Sequence, residues 1–299
     1  MEKTTEQTTE YIDPIIFDLY DEYCHSGMSR RDFLEKAAAV AVIGGSGLLM
    51  AKALLPNYAK AQMISFTDDR IKAKYVTYKS PGGNAPTIKG YLVQPKGSGP
   101  FPTVLIVHEN RGLNPHIEDV ARRAAAEGFL AFAPDALSPL GGYPGNDEDG
   151  KVMQKKLDRE KIFIDMKNAA KFIKSHSLSN GKLGVTGFCF GGAVSNYLAT
   201  ELGSAVKAVA PFYGSAAKIE DVKNIKAELI VHYAEDDARV NAMKDDYEKA
   251  LKENKVNFKM YVYPGTKHGF HNNSTPRYNK DQAALAWKRT MDLFKKNLK

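Results

Sequence analysis

Residues 182–192 read KLGVTGFCFGG, and this stretch decides how the rest of the chain is interpreted. Its first half has the apolar and β-branched residues of a buried strand. Its second half places Cys189 between two glycines, Gly187 and Gly191. The segment that follows, GGAVSNYLATEL, has helical spacing. The sequence therefore predicts a cysteine at the sharp junction of a strand and a helix.

A junction of this kind matches the nucleophile elbow, in which serine usually stands where Cys189 stands here. Glycines are needed on both sides because side chains at these positions would collide with neighbouring backbone. The N-terminus of the following helix favours the thiolate, which is the reactive form, over the thiol. Cysteine is also a common buried residue, so packing inside the core is the alternative interpretation of Cys189.

Strands and helices alternate on both sides of this junction. The run FPTVLIVHE at 101–109 is continuous and apolar, which is typical of a strand buried on both faces. Such alternation predicts one α/β domain over residues 62–299, with a mostly parallel, doubly wound sheet and helices on both faces. The other predicted elements are strands at 71–80, 87–95, 129–135, 205–214, 227–234 and 257–265, and helices at 116–128, about 152–177 and 280–297.

In this fold an acid and a histidine are expected after the nucleophile, each in a loop that follows a strand. One strand runs into Asp237 and the next runs into His268, so both residues lie where parallel sheets build their sites. The rivals for the acid are Glu235 and Asp236. The rival for the histidine is His271, which is expected to be a solvated loop residue.

The composition limits the classes of partner. A net charge of +7 could favour anionic substrates or surfaces. However, the sequence has no aromatic-interleaved basic stripe and no helix-turn-helix pattern, so nucleic acid is not an expected partner. The histidines are scattered, and no HExxH motif or zinc-ligand spacing occurs, so no metal or other cofactor is predicted either.

An export leader is predicted over residues 1–61. Residues 29–34 read SRRDFL, a mildly apolar run follows, and Ala59-Lys60-Ala61 forms a small-x-small cleavage site. The pair Arg30-Arg31 resembles the twin-arginine leader, whose cargo crosses the membrane already folded. The twin-arginine export machinery is therefore an expected partner of the precursor, and the expected location is periplasmic or otherwise exported.

The fate of this leader stays open in the sequence. The stretch before the arginines is long for a leader, so Met28 could be the true start, or YIDPIIFDLYDEYCHSG could be retained. The alternative is an amphipathic N-terminal helix packed on the enzyme, and the expected location is cytoplasmic if the leader is not used. Lys52 interrupts the apolar run, so no permanent membrane span is expected. Cleavage after Ala61 would remove Cys24 and leave Cys189 as a lone thiol that cannot form an internal disulfide.

Four separated segments carry a resemblance to a known family. GFCFGG at 187–192, YAEDDARV at 233–240 and YPGTKHGF at 263–270 resemble the signature segments of the dienelactone hydrolases, also called carboxymethylenebutenolidases. VLIVHENRGLNPHIEDVARRAAAEGF at 104–129 is similar to the family's strand-loop-helix segment. The resemblance covers about residues 68–299. It implies an α/β-hydrolase fold and a cofactor-independent hydrolase of small esters or lactones.

The resemblance also implies roles for the chemical residues. Cys189 would attack the substrate carbonyl and form an acyl-enzyme, His268 would carry the proton, and Asp237 would orient the imidazole. In the family the acid is followed two residues later by Arg or Phe and then Val, which selects Asp237 over Asp236. The family's Pro-Gly-x-x-His-x-Phe loop selects His268 over His271.

Further roles follow from the same resemblance. Backbone N–H groups of Phe190 and Asn110 would hold the oxyanion that develops during the reaction. Glu109 would interact with the resting thiol and release it when substrate arrives. The alternative for Glu109 is a capping or salt-bridging carboxylate beside Arg111.

The sequence departs from the family at the substrate-binding positions. The founding enzymes hold the substrate carboxylate with arginines, one of them four residues after the histidine, and here that position is Asn272. Arg111, Arg239 and Arg277 are the candidate substitutes, and no motif selects among them. The departure leaves the natural substrate open, while the expected partner remains a small ester or lactone.

Other functions are weighed against this one. A thioesterase or another small-ester hydrolase could use the same residues. A thiol redox or peroxide-sensing protein using Cys189 would need a resolving cysteine or an electron donor. A binding protein on a decayed fold should have lost at least one of the three chemical residues, and none is missing. The expected oligomeric state is a monomer or a small homo-oligomer.

Overall fold

The computed structural model describes residues 12–26, 28–40 and 46–299, without the side chains of Ala59 and Lys60. The chain divides into two compact units, Met1–Asn57 and Tyr58–Lys299. Within the described residues, none of the helices has both the length and the apolar character that crossing a membrane requires.

The N-terminal unit is helical in its described residues. The SRRDFL segment starts a helix there, because the Ser29 side chain accepts a hydrogen bond from the Asp32 N–H and the Asp32 carboxylate accepts one from the Ser29 N–H. Phe33 is fully buried and stacks on Tyr23, with ring centroids 5.0 Å apart. The helices of this unit are α1 (Pro14–His25), α2 (Arg30–Ala39) and α3 (Gly47–Ala53).

The larger unit is built on an eight-stranded sheet with the order β1-β2-β4-β3-β5-β6-β7-β8. β2 pairs antiparallel with β1 on one side and with β4 on the other, and every other pairing is parallel. The strands are β1 (Ile71–Lys79), β2 (Thr87–Pro95), β3 (Phe101–Val107), β4 (Leu130–Pro134), β5 (Ser179–Phe188), β6 (Ala208–Phe212), β7 (Glu228–Asp236) and β8 (Phe258–Lys267).

Helices cover both faces of this sheet. One apolar core joins α7, α8 and α10 to the sheet, and a second core joins α5 and α11 to its other face. The helices of this unit are α4 (Tyr58–Ala61), α5 (Pro115–Ala126), α6 (Asp147–Lys156), α7 (Arg159–Lys174), α8 (Phe190–Leu202), α9 (Ala238–Asn241), α10 (Lys244–Glu253) and α11 (Lys280–Leu298). The predicted mostly parallel sheet with helices on both faces is confirmed.

The central strand β3 shows why the sequence forms this fold. Its apolar run is fully buried, and successive side chains of a strand point to opposite faces. Leu105 and Val107 therefore enter one core, while Val104 and Ile106 enter the other. A continuous apolar run is the pattern that a strand covered on both faces requires.

The predicted long helix over about 152–177 is two helices, α6 and α7. The chain is extended at Leu157, and Asp158 then starts α7. The Asp158 carboxylate accepts hydrogen bonds from the N–H groups of Glu160 (2.9 Å) and Lys161 (3.2 Å). Aspartate is a strong N-cap residue, and this local capping ends one helix and begins the next.

Candidate active site

Cys189 lies at the turn between β5 and α8 and is partly exposed. Its backbone has φ 54° and ψ −111°, a combination that residues with a side chain rarely adopt. The turn is held by the Cys189 N–H, which donates to the Phe212 carbonyl at 3.1 Å, and by the Cys189 carbonyl, which accepts from Ala193 at 3.2 Å. The thiol is therefore presented on a strained, well-anchored turn, as the elbow motif predicts.

The glycines around Cys189 are explained by close backbone contacts. A Cβ atom on Gly187 would overlap the Gly191 carbonyl, and one on Gly191 would overlap the carbonyl oxygen of Val107. A Cβ atom on Gly192 would overlap the Phe212 carbonyl. Only residues without a side chain allow β3, β5 and α8 to approach one another this closely.

Asp237 and His268 lie beyond the carboxyl ends of β7 and β8 and contact each other. The Nδ1 atom of His268 is 2.6 Å from a carboxylate oxygen of Asp237. The other oxygen of Asp237 accepts from the Val240 N–H at 3.2 Å, so the carboxylate also caps the short helix α9. Both side chains are buried. This double anchorage fixes the carboxylate, and the carboxylate fixes the orientation of the imidazole.

The imidazole of His268 also reaches Cys189. A ring nitrogen of His268 lies within 4.8 Å of Cys189 Sγ. Burial lowers the pKa of His268, but the negative charge of Cys189 and hydrogen bonds with Asp237 and Cys189 outweigh it, so the pKa is raised. A raised histidine pKa beside a thiol favours the thiolate and imidazolium pair over the neutral pair.

Glu235, Asp236 and His271, the alternatives to Asp237 and His268, make other contacts. Glu235 accepts a hydrogen bond from the Gly265 N–H at 2.8 Å, and Asp236 is exposed and pairs with Lys267. His271 is 2 % exposed and stacks on Phe188, so the expectation of a solvated loop residue is wrong. The reason is that the chain after β8 turns back under the elbow, where the His271 ring packs against Phe188, Phe212 and Trp287.

Glu109 is buried at the end of β3, beside the same thiol. Burial and the negative charge of Cys189 raise the pKa of Glu109, whereas Arg111 and Arg277 act in the opposite direction. One carboxylate oxygen of Glu109 accepts a hydrogen bond from Asn272 Nδ2 at 3.1 Å. Asn272, at the position where the founding enzymes have an arginine, therefore contacts Glu109.

The three candidate arginines have different surroundings. Arg111 is buried and pairs with Asp147, with 3.5 Å between the charged atoms. Arg239 is exposed on α9. Arg277 lies beside Gly269. A Cβ atom placed on Gly269 would be 3.3 Å from the guanidinium of Arg277.

A second group of polar residues supports Arg111 and was not identified from the sequence. The Tyr58 hydroxyl donates to the Asp147 carboxylate at 2.7 Å and accepts from Asn114 Nδ2 at 2.8 Å. The Tyr143 hydroxyl donates to the same carboxylate at 2.9 Å. No motif joins these positions, and Tyr58 falls inside the segment interpreted as a leader, so the sequence carries no signal for this cluster.

A cavity of about 290 Å³ adjoins the elbow. Asn110 and Phe190, the two residues expected to supply oxyanion-hole N–H groups, both contribute to its lining. Three basic side chains, Lys151, Lys155 and Arg159, line the same cavity, and none of the described residues that line it is acidic. The cavity is therefore suited to a small substrate that carries or develops negative charge.

Most of the larger unit matches a known protein family. A family model described as "Dienelactone hydrolase family" matches residues 88–298, and one described as "YqhI-like" matches residues 3–41. The "Putative carboxymethylenebutenolidase" of Synechocystis sp. is 33 % identical over 232 residues, which cover 71 % of this chain and 93 % of that protein. The "Putative hydrolase fragment YghX" of Escherichia coli is 54 % identical over 114 residues, covering 38 % of this chain and 97 % of the fragment.

A solved structure shares the fold. The crystal structure titled as a dienelactone hydrolase-like promiscuous phosphotriesterase, P91 from metagenomic libraries, superposes with a TM-score of 0.65 at 23 % sequence identity. The match covers 77 % of this chain and all of that one.

Proposed function

Because the chain belongs to the dienelactone hydrolase family, we propose that it hydrolyses small carboxylic esters or lactones through a triad of Cys189, His268 and Asp237. Membership makes the protein a carboxymethylenebutenolidase-like ester hydrolase with the α/β-hydrolase fold. The observation that carries the proposed mechanism is the short contact between His268 and Asp237 beside a thiol on a strained turn. Geometry of this kind is the requirement for nucleophilic catalysis with a positioned base.

The first half of the proposed reaction forms an acyl-enzyme. The Cys189 thiolate attacks the carbonyl carbon, a C–S bond forms, and the carbonyl electron pair moves to the oxygen. Backbone N–H groups of Phe190 and Asn110 stabilise this oxyanion, and a donor of this kind is typically worth about 3–4 kcal/mol. The tetrahedral intermediate then collapses, the C–O bond to the alcohol breaks, and the imidazolium of His268 protonates the departing oxygen.

The second half releases the acid. Neutral His268 accepts a proton from a water molecule as the water oxygen attacks the acyl carbon. Collapse of the second tetrahedral intermediate breaks the C–S bond and restores the thiolate and imidazolium pair. The carboxylate of Asp237 holds the tautomer of His268 and stabilises the imidazolium in both halves of the reaction.

Glu109 is proposed to interact with the resting thiol and to release it when substrate arrives. The influence of the Cys189 charge on the pKa of Glu109 supports this role, since it requires the two groups to be close. The hydrogen bond from Asn272 Nδ2 stabilises the Glu109 carboxylate when the carboxylate no longer interacts with the thiol.

The substrate is proposed to carry a negative charge of its own, as a dienelactone does. Lys155 and Arg159 line the cavity beside Phe190 and Arg239 does not, so the first two are better placed to meet a substrate carboxylate. Arg111, which was also a candidate, already faces Asp147. A panel of lactones and esters that includes dienelactone would identify the class.

Alkylation of Cys189 tests the proposed covalent mechanism. Treatment of a Cys24→Ala variant with iodoacetamide is expected to abolish turnover of p-nitrophenyl acetate, because Cys189 is then the sole thiol. Mass spectrometry measures the extent of alkylation in the same sample. Full turnover by completely alkylated protein would reject the thiol as nucleophile and would favour a redox or peroxide-sensing role for it.

Residues 1–61 are proposed to be a twin-arginine export leader that directs the enzyme to the periplasm. The segment SRRDFL and the Ala59-Lys60-Ala61 site support this proposal. Arg31 forms an exposed ion pair with Glu35 at 2.8 Å, so a receptor could reach its side chain.

Conservative replacement of the two arginines tests the export route. Changing Arg30 and Arg31 to lysine is expected to leave the precursor uncleaved in the cytoplasm, because lysine keeps the charge but loses the planar guanidinium. Cell fractionation and the mass of the N-terminus measure this directly. Changing the exposed Glu35 to glutamine serves as the control and should leave export normal. Equal export of the lysine variant would exclude the twin-arginine route.

A further inference from the structure

A second cavity of about 500 Å³ lies on the face of the sheet covered by α5 and α11. It is separate from the proposed active site, because Cys189, Asp237 and His268 do not line it. Its volume is within the range of small-molecule sites, which run from about 300 to 1,000 Å³. The residues that matter for its chemistry are Arg123, His271, Tyr278, Ala284, Trp287 and Met291.

A buried polar atom of His271 lacks a partner at this cavity. His271 is 2 % exposed, and its Nδ1 atom makes no hydrogen bond with the part of the chain that the structure describes. Burial first, and then the positive charge of Arg123, hold the pKa of His271 well below its usual value, so the ring is neutral near neutral pH. Buried polar atoms in folded proteins nearly always have a partner, and a bound molecule would supply one here.

Basic side chains outnumber acidic ones in the lining of the cavity, and each basic side chain also has a carboxylate partner. Four basic side chains and two acidic ones line it, and the acidic residues Glu127 and Asp292 are paired with Lys295 and Lys288 at 2.7 and 2.6 Å. Arg123 is 9 % exposed; its guanidinium pairs with Asp119 through Nε at 2.7 Å and donates to Asn273 Oδ1 at 3.1 Å. Arg70, at the same cavity, pairs with Asp68 at 2.7 Å.

The aromatic and apolar side chains that line the cavity favour a ligand that contains a flat ring. The Trp287 ring lies 5.7 Å from the His271 ring, and Tyr278 and Met291 complete an apolar surface around it. Aromatic side chains at such a surface stack on flat apolar ligands. The cavity thus combines an aromatic wall with the guanidinium of Arg123, which Asp119 holds in place, and with an imidazole nitrogen that has no partner among the described residues.

We propose that this cavity is a binding site for a small aromatic carboxylic acid, with its ring against Trp287 and its carboxylate toward Arg123. The neutral imidazole of His271 donates its Nδ1 proton to the same carboxylate. This proposal does not depend on the hydrolytic mechanism, because it concerns a separate site and no covalent step. The His271 ring stacks on Phe188, the residue before Cys189, so the site lies directly beneath the elbow.

The sole tryptophan of the chain makes the proposal measurable. Trp287 lines the cavity, so its fluorescence reports on this site alone. Phenylbutyrate is a suitable probe because it carries a ring and a carboxylate and does not absorb where tryptophan is excited at its red edge. We expect a saturable change in Trp287 emission, and a weaker affinity for the matched neutral compound phenylbutanol.

Two variants distinguish this site from other modes of binding. His271→Phe keeps a stacking ring but removes the nitrogens, and it is expected to weaken phenylbutyrate binding about three- to tenfold, the usual value of one hydrogen bond. Ala284 lines the cavity and is exposed, so the protein should still fold when Ala284→Phe narrows the cavity. This variant is expected to weaken phenylbutyrate binding at least as much as His271→Phe does. Full-length protein alkylated at Cys189 should bind as well as the untreated protein.

Three results would overturn the proposal. The first is the absence of a saturable emission change in the unmodified protein. The second is equal affinity in the native protein and in Ala284→Phe, with the melting temperature unchanged. The third is loss of binding on alkylation of Cys189, which would move the ligand to the proposed active site.

Discussion

Replacement of Cys189 by alanine is expected to lower kcat for p-nitrophenyl acetate by about 10⁴-fold or more, as loss of a catalytic nucleophile commonly does. The thiolate supplies the only proposed covalent bond to the substrate, and no neighbouring group can form the acyl-enzyme in its place. The backbone donors and the cavity remain, so weak catalysis above the rate in water should survive. Steady-state kinetics and the mass of the trapped acyl-enzyme measure both parts of this expectation.

The matched control is Cys24→Ala, which removes the other cysteine of the chain. Cys24 is buried in the N-terminal unit, so a small loss of stability is expected while kcat stays within about twofold of the native value. Circular dichroism of both variants separates loss of folding from loss of chemistry. A folded Cys189→Ala enzyme with native kcat would remove the thiol from the mechanism altogether.

Asp237→Asn is expected to produce a loss of similar size, about 10⁴-fold in kcat, without a change in shape. Asparagine can offer its amide N–H to Nδ1 of His268, which leaves the ring in the wrong tautomer to accept the proton of the attacking water. The measurement is kcat across a range of pH. Because Asp237 helps to raise the pKa of His268, its neutralisation lowers that pKa. The imidazolium is then lost at lower pH, and the alkaline limb of the profile shifts downward.

Asp236→Asn is the control for this prediction. Asp236 is the preceding residue, is exposed, and pairs with Lys267 rather than with His268. Exposed ion pairs contribute little, about 0–1 kcal/mol, so activity and stability should both remain close to native. If Asp236→Asn proved the more damaging of the two, the acid in the proposed triad would have been assigned to the wrong carboxylate.

The sequence was informative where a local pattern has a single physical solution. A continuous apolar run such as β3 suits only a strand covered on both faces, and it lies at the centre of the sheet. The glycines beside Cys189 allow close packing that a side chain would prevent. Asp237 and His268 follow strands that are neighbours in the sheet; the prediction paired them from their chain order and loop positions, and the family resemblance selected them over their rivals.

Other features depend on contacts between distant parts of the chain and have no local pattern. The hydrogen bond from Asn272 to Glu109 joins two loops 163 positions apart, and Tyr58 reaches Asp147 across 89 positions. His271 was misjudged for the same reason, because its burial comes from the way the loop folds back onto Phe188. Composition marks such residues as ordinary loop residues, and only the tertiary structure distinguishes them.

The contacts of Tyr58 give the proposed cleavage site an unexpected consequence. The Ala61 carbonyl, which belongs to the bond that a leader peptidase would cut, accepts a hydrogen bond from Asn273 Nδ2 at 2.7 Å. Cutting there would first require this stretch to detach from the folded hydrolase. It would then carry Tyr58 away from Asp147 and leave Arg111 with a less constrained partner. Precursor and mature enzyme would thus have the same reacting groups. They would differ in how firmly Arg111, the residue after Asn110, is held, so cleavage would change the surroundings of the proposed active site as well as free the enzyme from its leader.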